Sequence, residues 1–152
     1  RIPTGEIVSV SGGPFDFTAV KQIGHDLRSM RPLGPDDPGG YDHNFIIRNS
    51  DGTLRHAATM KEGGSGRVME VHTNQPGVQF YTANYLDGSI TGKSGAIYGK
   101  HGGFCLETQK YPDAINKQDV PGWPSVILRP GEVYRHETEY RFAAEQVINV
   151  ST

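Results

Sequence analysis

The sequence predicts an all-β protein built of antiparallel strands, and three observations carry that reading. Glycine and proline, 20 and 10 of the 152 residues, are spread along the whole chain, which favours many short elements joined by turns. Apolar and polar residues alternate in short runs. The clearest is 133–142, where Tyr134, His136, Thr138, Tyr140 and Phe142 fall against Val133, Arg135, Glu137, Glu139 and Arg141. Turn-specific pairs separate the runs: Asp51-Gly52, Asp87-Gly88 and Pro130-Gly131.

Residues 6–10 read as a short strand that ends at Ser11-Gly12-Gly13-Pro14. Val20, Ile23, Leu27 and Met30 fall at helical spacing, so one short helix is expected there, weakened by Gly24. Residues 32–40, rich in proline and glycine, form a loop that delivers the chain to Tyr41. Residues 45–48 and 53–58 read as the arms of a β-hairpin closed by Asn49-Ser50-Asp51-Gly52. Gly63-Gly64-Ser65-Gly66 turns the chain into a strand over 67–73. These glycines do not stand between a strand and a helix, so they are not a phosphate cradle.

The next strand covers 78–82, an Asp-Gly turn follows within 85–90, and 92–101 is a polar, glycine-rich loop. Residues 116–124 are irregular and hold the only tryptophan, Trp123. A last hairpin joins 126–128 through Pro130-Gly131 to 133–142, whose second arm has one buried and one wet face.

Composition bounds the function. At 152 residues the chain is long enough to bury a real core as one domain. With 35% hydrophobic and 21% charged residues it is neither disordered nor a membrane span. A net charge of -2 gives no electrostatic reason to expect nucleic acid or an anionic membrane as partner. A single cysteine, Cys105, cannot form an internal disulfide; a buried, inert thiol in a reducing, cytoplasmic compartment is expected. Asn149-Val150-Ser151 fits a glycosylation acceptor, a pattern common by chance.

The most informative stretch is His101-Gly102-Gly103-Phe104-Cys105-Leu106-Glu107-Thr108-Gln109, a short apolar run with a carboxylate at its centre. Strand alternation puts Phe104 and Leu106 on one side and Cys105, Glu107 and Gln109 on the other. A carboxylate held among apolar neighbours loses solvation, and its pKa moves toward the range useful for proton transfer. On periodicity alone, a solvent-facing position is the commoner one for a glutamate.

Gly103 through Gln109, followed by Pro112-Asp113-Ala114, resembles the catalytic-glutamate segment of the galactose mutarotase (aldose 1-epimerase) family. Four further motifs resemble the same family in the same order: Arg1-Ile2-Pro3-Thr4-Gly5-Glu6-Ile7, Gly40-Tyr41-Asp42-His43-Asn44-Phe45, Gln75-Pro76-Gly77-Val78-Gln79-Phe80-Tyr81-Thr82, and Leu128-Arg129-Pro130-Gly131-Glu132. The likeness runs over nearly the whole chain. It implies an antiparallel β-sandwich, the galactose mutarotase-like supersandwich, with residues 1–152 as the C-terminal portion of that single domain. It also implies an N-terminal half as a further segment or partner.

The resemblance implies interconversion of the α and β anomers of free aldoses such as galactose and glucose, with no cofactor and no metal. Glu107 matches the family's catalytic base. Asp42 matches its sugar-binding aspartate and Gln79 a substrate-contacting glutamine, whose amide can donate and accept at once. Without the resemblance, Asp42 reads as a loop-end aspartate capping backbone donors, and Gln79 as a solvent-facing strand residue. The family's acid histidine belongs to a segment upstream of Arg1.

None of the six histidines, His25, His43, His56, His72, His101 and His136, therefore takes the acid role. His43 is turned from Asp42 by alternation, His101 is the one nearest the expected site, and His136 reads as a core histidine. Their spacing forms no metal-ligand pattern. Two other functions fit the residues. A carbohydrate-binding module would grip sugar with Asp42, Gln79, Tyr81 and Trp123, and a glycosidase would pair Asp42 with Glu107.

Overall fold

The computed structural model describes residues 2–146, so Asn149-Val150-Ser151 lies outside the described residues. The elements run α1 (Gly24–Leu27), β1 (Asp42–Ile46), β2 (Arg55–Glu62), β3 (Arg67–Thr73), β4 (Gly77–Tyr81), β5 (Ile90–Thr91), β6 (Ile97–Tyr98), β7 (Cys105–Gln109) and β8 (Thr138–Ala144). Short 3-10 turns occupy Lys93–Gly95 and Ala114–Lys117. The strands form sheets in the orders β1-β4-β7, β2-β3-β8 and β5-β6. The all-β class holds, and among the described residues α-helix amounts to one turn of four residues, none of them buried.

The chain divides into two compact units. One comprises the chain up to Asn44 together with Gln79–Glu107; the other comprises Phe45–Val78 and the chain from Thr108 onward. The first is built on aromatic rings. Tyr41 stacks on Phe80 at 5.0 Å between centroids, and Phe17 meets both edge-on at 5.5 and 5.6 Å. Phe104 adds an edge contact to Phe80 at 6.4 Å. Such pairs contribute about 0.5–1.5 kcal/mol each beyond the area they bury. Tyr41 is fully buried and donates its hydroxyl proton to Pro14 O at 2.8 Å; burial lifts that hydroxyl's pKa to about 12.

The second unit rests on an antiparallel sheet. β2 pairs with β3 from Arg55↔Thr73 to Glu62↔Arg67, with an irregularity between His56 and Ala58. The turn between them is made by Glu62, whose carboxylate accepts the backbone N–H of Gly64 at 2.8 Å and of Ser65 at 2.7 Å. The Ser65 hydroxyl and these N–H groups hold the Glu62 pKa below its ordinary value. β8 pairs with β3 from Arg67↔Ala144 to Thr73↔Thr138, and Val71 and Thr73 on this middle strand are fully buried.

Several sequence expectations are corrected. No strand forms over 6–10. The Thr4 and Ser9 hydroxyls accept the N–H groups of Glu6 and Ser11, giving this segment local turns instead of a ladder. The hairpin of 45–48 with 53–58 does not form either, because β1 lies beside β4 and β2 beside β3. Ile47 N–H goes to Pro76 O at 2.9 Å. The Asp51 turn itself is present: its carboxylate accepts Thr53 N–H at 2.9 Å, and Gly52 sits at φ +82. It bends the chain without bringing its two arms into register.

The loop expected at 92–101 contains β6, paired to β5 as Ile90↔Tyr98 and Thr91↔Ile97. The last hairpin is also absent. Pro130-Gly131 makes a tight turn, with Glu132 N–H on Arg129 O at 3.0 Å, but 126–128 is not a strand. The strand begins only at Thr138 and takes its ladder from β3 over seven residues, more than a three-residue arm could offer. Its expected buried face is open in this chain: Tyr140 is 48% and Phe142 76% exposed. His136 is exposed rather than in a core, bonded to Thr108 Oγ1 at 2.9 Å. Among the described residues, no helix is long and apolar enough to cross a membrane.

Candidate functional site

Asp42 is the first residue of β1, and β4 is the strand beside it. Tyr41 points into the aromatic core and stacks on Phe80, so alternation sends Asp42 and Gln79 to the opposite face of their strands. There they meet: Gln79 Nε2 donates to Asp42 Oδ1 at 2.9 Å. Both side chains are half-buried. Asp42 does not cap a loop, and Gln79 is not a lone solvent-facing amide. The bond turns the Gln79 amide so that its nitrogen faces the carboxylate.

β7 borders β4 on its other side. Phe104, at its entrance, packs against Phe80, so Glu107 three residues on falls on the face away from the core. That is the face of Asp42 and Gln79. The Cys105 thiol, two residues before Glu107, has its pKa raised by partial desolvation and then by the Glu107 carboxylate. The three residues singled out in the sequence thus share one face across three adjacent strands. Glu107 is exposed in this chain. Cys105 is exposed as well, a correction to the expected buried thiol: its face of β7 is the open one, while Phe104 takes the core side.

His43 behaves as alternation requires, its ring 4.7 Å from that of Phe15 on the core side. His101 has φ +61 and its Nδ1 lies 2.8 Å from Thr82 O. A carbonyl only accepts, so Nδ1 carries the proton. Trp123 belongs to the second unit, where its ring meets Tyr111 edge-on at 5.4 Å and the Lys117 ammonium sits 5.5 Å from its centre. Among the described residues, no group of three or more His, Cys, Asp or Glu side chains is arranged to hold a metal ion.

Sequence reasoning missed the buried polar residues Thr82 and Asn84, which close hydrogen bonds around the Tyr41 peptide next to Asp42. The one signal was Gly39-Gly40 directly before Tyr41, a pair that marks close approach of another segment.

Fold and site together define an all-β protein with a carboxylate- and amide-bearing strand face backed by an aromatic core. Comparison with known proteins gives its kinship. The family model described as aldose 1-epimerase matches residues 1–141, and the chain belongs to that family. It is 50% identical over 142 residues to a galactose mutarotase of Bos taurus and 47% identical to that of Homo sapiens, covering 93% of this chain and 39% of each relative. An aldose 1-epimerase of Escherichia coli (strain K12) is 34% identical over 147 residues. The crystal structure of the GalM/aldose epimerase homologue from C. elegans superposes with a TM-score of 0.76 at 28% identity, over 95% of this chain and 41% of that one. The chain therefore spans about two-fifths of the length of the relatives it matches.

Proposed function

We propose that the chain is the base-bearing C-terminal portion of a mutarotase, an aldose 1-epimerase that interconverts the α and β anomers of free sugars such as galactose and glucose. Residues 1–152 belong on this reading to one β-sandwich domain. The observation that carries it is the shared face of Asp42, Gln79 and Glu107, with Asp42 and Gln79 already joined at 2.9 Å. Sugar hydroxyls are both donors and acceptors, and a carboxylate beside an amide answers both.

Ring opening needs a base at the anomeric hydroxyl and an acid at the ring oxygen. Glu107 takes the proton from the hydroxyl, the ring carbon–oxygen bond breaks, and the ring oxygen receives a proton. Rotation about the bond to the carbonyl carbon and reclosure with the two roles exchanged give the other anomer. Asp42 accepts from substrate hydroxyls, with the Gln79 amide held beside it. The acid is a histidine that the family resemblance assigns to the segment upstream of Arg1. In the chain by itself Glu107 is open to water. On this reading the upstream half covers it and shields the proton transfer from bulk water.

The test is optical rotation of freshly dissolved α-galactose or α-glucose, followed with this chain alone and with the upstream half added in equal amount. The chain alone stays near the uncatalysed rate, and the pair accelerates it. A protein that only binds sugar leaves the rate unchanged in both, and one that releases a new reducing end from a glycoside is a glycosidase; either result overturns the reading.

A further inference from the structure

A closed ring of buried hydrogen bonds surrounds the peptide of Tyr41, the residue before Asp42. Tyr41 N–H donates to Thr82 Oγ1 at 3.0 Å, and the Thr82 hydroxyl donates to Asn84 Oδ1 at 2.7 Å. Asn84 Nδ2 donates back to Tyr41 O at 2.7 Å. Tyr41, Thr82 and Asn84 are 0%, 2% and 3% exposed, so no solvent competes for these groups. Asn84 uses its donor end and its acceptor end at once, and the Thr82 hydroxyl does the same.

The ring is clamped from outside. Gly40, at φ +80, packs so closely that a Cβ would stand 2.1 Å from Asn84 Oδ1 and 3.1 Å from His101 Cε1. His101 donates from Nδ1 to Thr82 O at 2.8 Å and from its backbone N–H to Ala83 O at 3.2 Å. Ala83 and His101 both take left-handed backbone, φ +49 and +61, a conformation that non-glycine residues hold only where the surroundings fix it. The segments bound together here are the approach to Asp42, the continuation of the Gln79 strand and the entrance to the Glu107 strand.

We infer that Thr82 and Asn84, pinned by His101, are positioning residues that set where the Asp42 carboxylate stands against the sugar. Resting on the mutarotase reading above, the inference assigns them no contact with substrate. They act through the Tyr41 peptide, whose N–H and C=O they hold so that Asp42 projects toward Gln79. Affinity for sugar then depends on a hydroxyl and an amide that face the core side of the strands.

The experiment compares Thr82→Val, which keeps the shape and removes the hydroxyl, with Thr82→Ser, which keeps the hydroxyl, in the complete epimerase. Thr82→Val raises KM for galactose by between about tenfold and about a hundredfold, the scale on which small misplacements act. The change in kcat is smaller, and Thr82→Ser stays near the unmodified enzyme. A role in stability alone would lower the melting temperature and the active fraction without moving KM. The Gln79 side-chain NH₂ resonance, whose proton rests on Asp42, gives a sugar-free readout: it shifts in Thr82→Val and keeps its place in Thr82→Ser.

Should Thr82→Val fail to fold, Asn84→Ser takes the same two measurements, since it leaves Tyr41 N–H its acceptor. An unchanged KM in a folded, active variant overturns the inference. If the unmodified enzyme shows no mutarotation, the functional reading fails instead, and the Gln79 resonance alone decides: unshifted in the folded variant, it overturns the positioning role as well.

Discussion

Replacing Gly40 with alanine adds one carbon at a place where the structure leaves no room for it. The residue sits at φ +80, and the added Cβ would lie 2.1 Å from Asn84 Oδ1 and 2.7 Å from Asn84 Cγ. Left-handed backbone costs a non-glycine residue about 1–2 kcal/mol. The contact is far inside van der Waals distance, so the Asn84 amide must swing away from Thr82 and Tyr41. Tyr41 O keeps one donor, Thr82 N–H at 3.1 Å, so the uncompensated loss is close to one buried hydrogen-bonding group, about 1–3 kcal/mol.

Together these terms predict that Gly40→Ala destabilises the fold by about 2–5 kcal/mol. Urea unfolding of the two proteins measures it. In an Asn84→Ala background the amide is gone, and only the backbone term of about 1–2 kcal/mol should remain. An equal cost of Gly40→Ala in both backgrounds, or a loss under about 1 kcal/mol in the first, would refute the reasoning.

Two further outcomes follow from named residues. Asp42→Asn in the complete epimerase should raise KM for galactose with a smaller change in kcat, since the task proposed for it is to hold hydroxyls; steady-state polarimetry that found a collapsed kcat at fixed KM would reverse the roles proposed for Asp42 and Glu107. Asp16 is held at about 2 by the Thr18 hydroxyl and by the N–H groups of Gly12 and Thr18. A carboxylate depressed in the folded state stabilises above its unfolded pKa and loses that contribution as pH falls through its folded one. The melting temperature should therefore drop between about pH 4 and about pH 2 by more in the unmodified chain than in Asp16→Asn; parallel profiles would exclude Asp16 from the acid transition.

What the sequence made legible was local. The Gly63-Gly64-Ser65-Gly66 turn, the strands on either side of it and the strand at Gln79 all depend on neighbouring residues, and all are present. The one-face placement of Glu107 with Cys105 was likewise readable, because alternation is a property of a single strand, and in β7 both are exposed while Leu106 between them is half-buried. Pairing between distant strands was not. Asp51-Gly52 and Pro130-Gly131 each specify a bend, but a bend does not choose a partner: β1, β2 and β8 take their ladders elsewhere, and 126–128 forms no strand. Burial failed for a related reason: Cys105, Tyr140 and Phe142 are apolar by type yet lie on strand faces that this chain leaves open. Thr82 reads as the last residue of the strand over 78–82 and Asn84 carries no signal of its own, since nothing local records that the Tyr41 peptide returns to meet them.

The central claim, that Glu107 is the proton-accepting base, is tested most directly by Glu107→Gln in the complete epimerase. The amide keeps the shape of the side chain and cannot accept the proton. Polarimetry should show kcat lower by about 10²–10⁴-fold with KM changed only slightly, because the lost interaction belongs to the transition state. A Glu107→Gln enzyme that mutarotates galactose at a near-normal kcat would contradict the account and remove Glu107 from the chemistry.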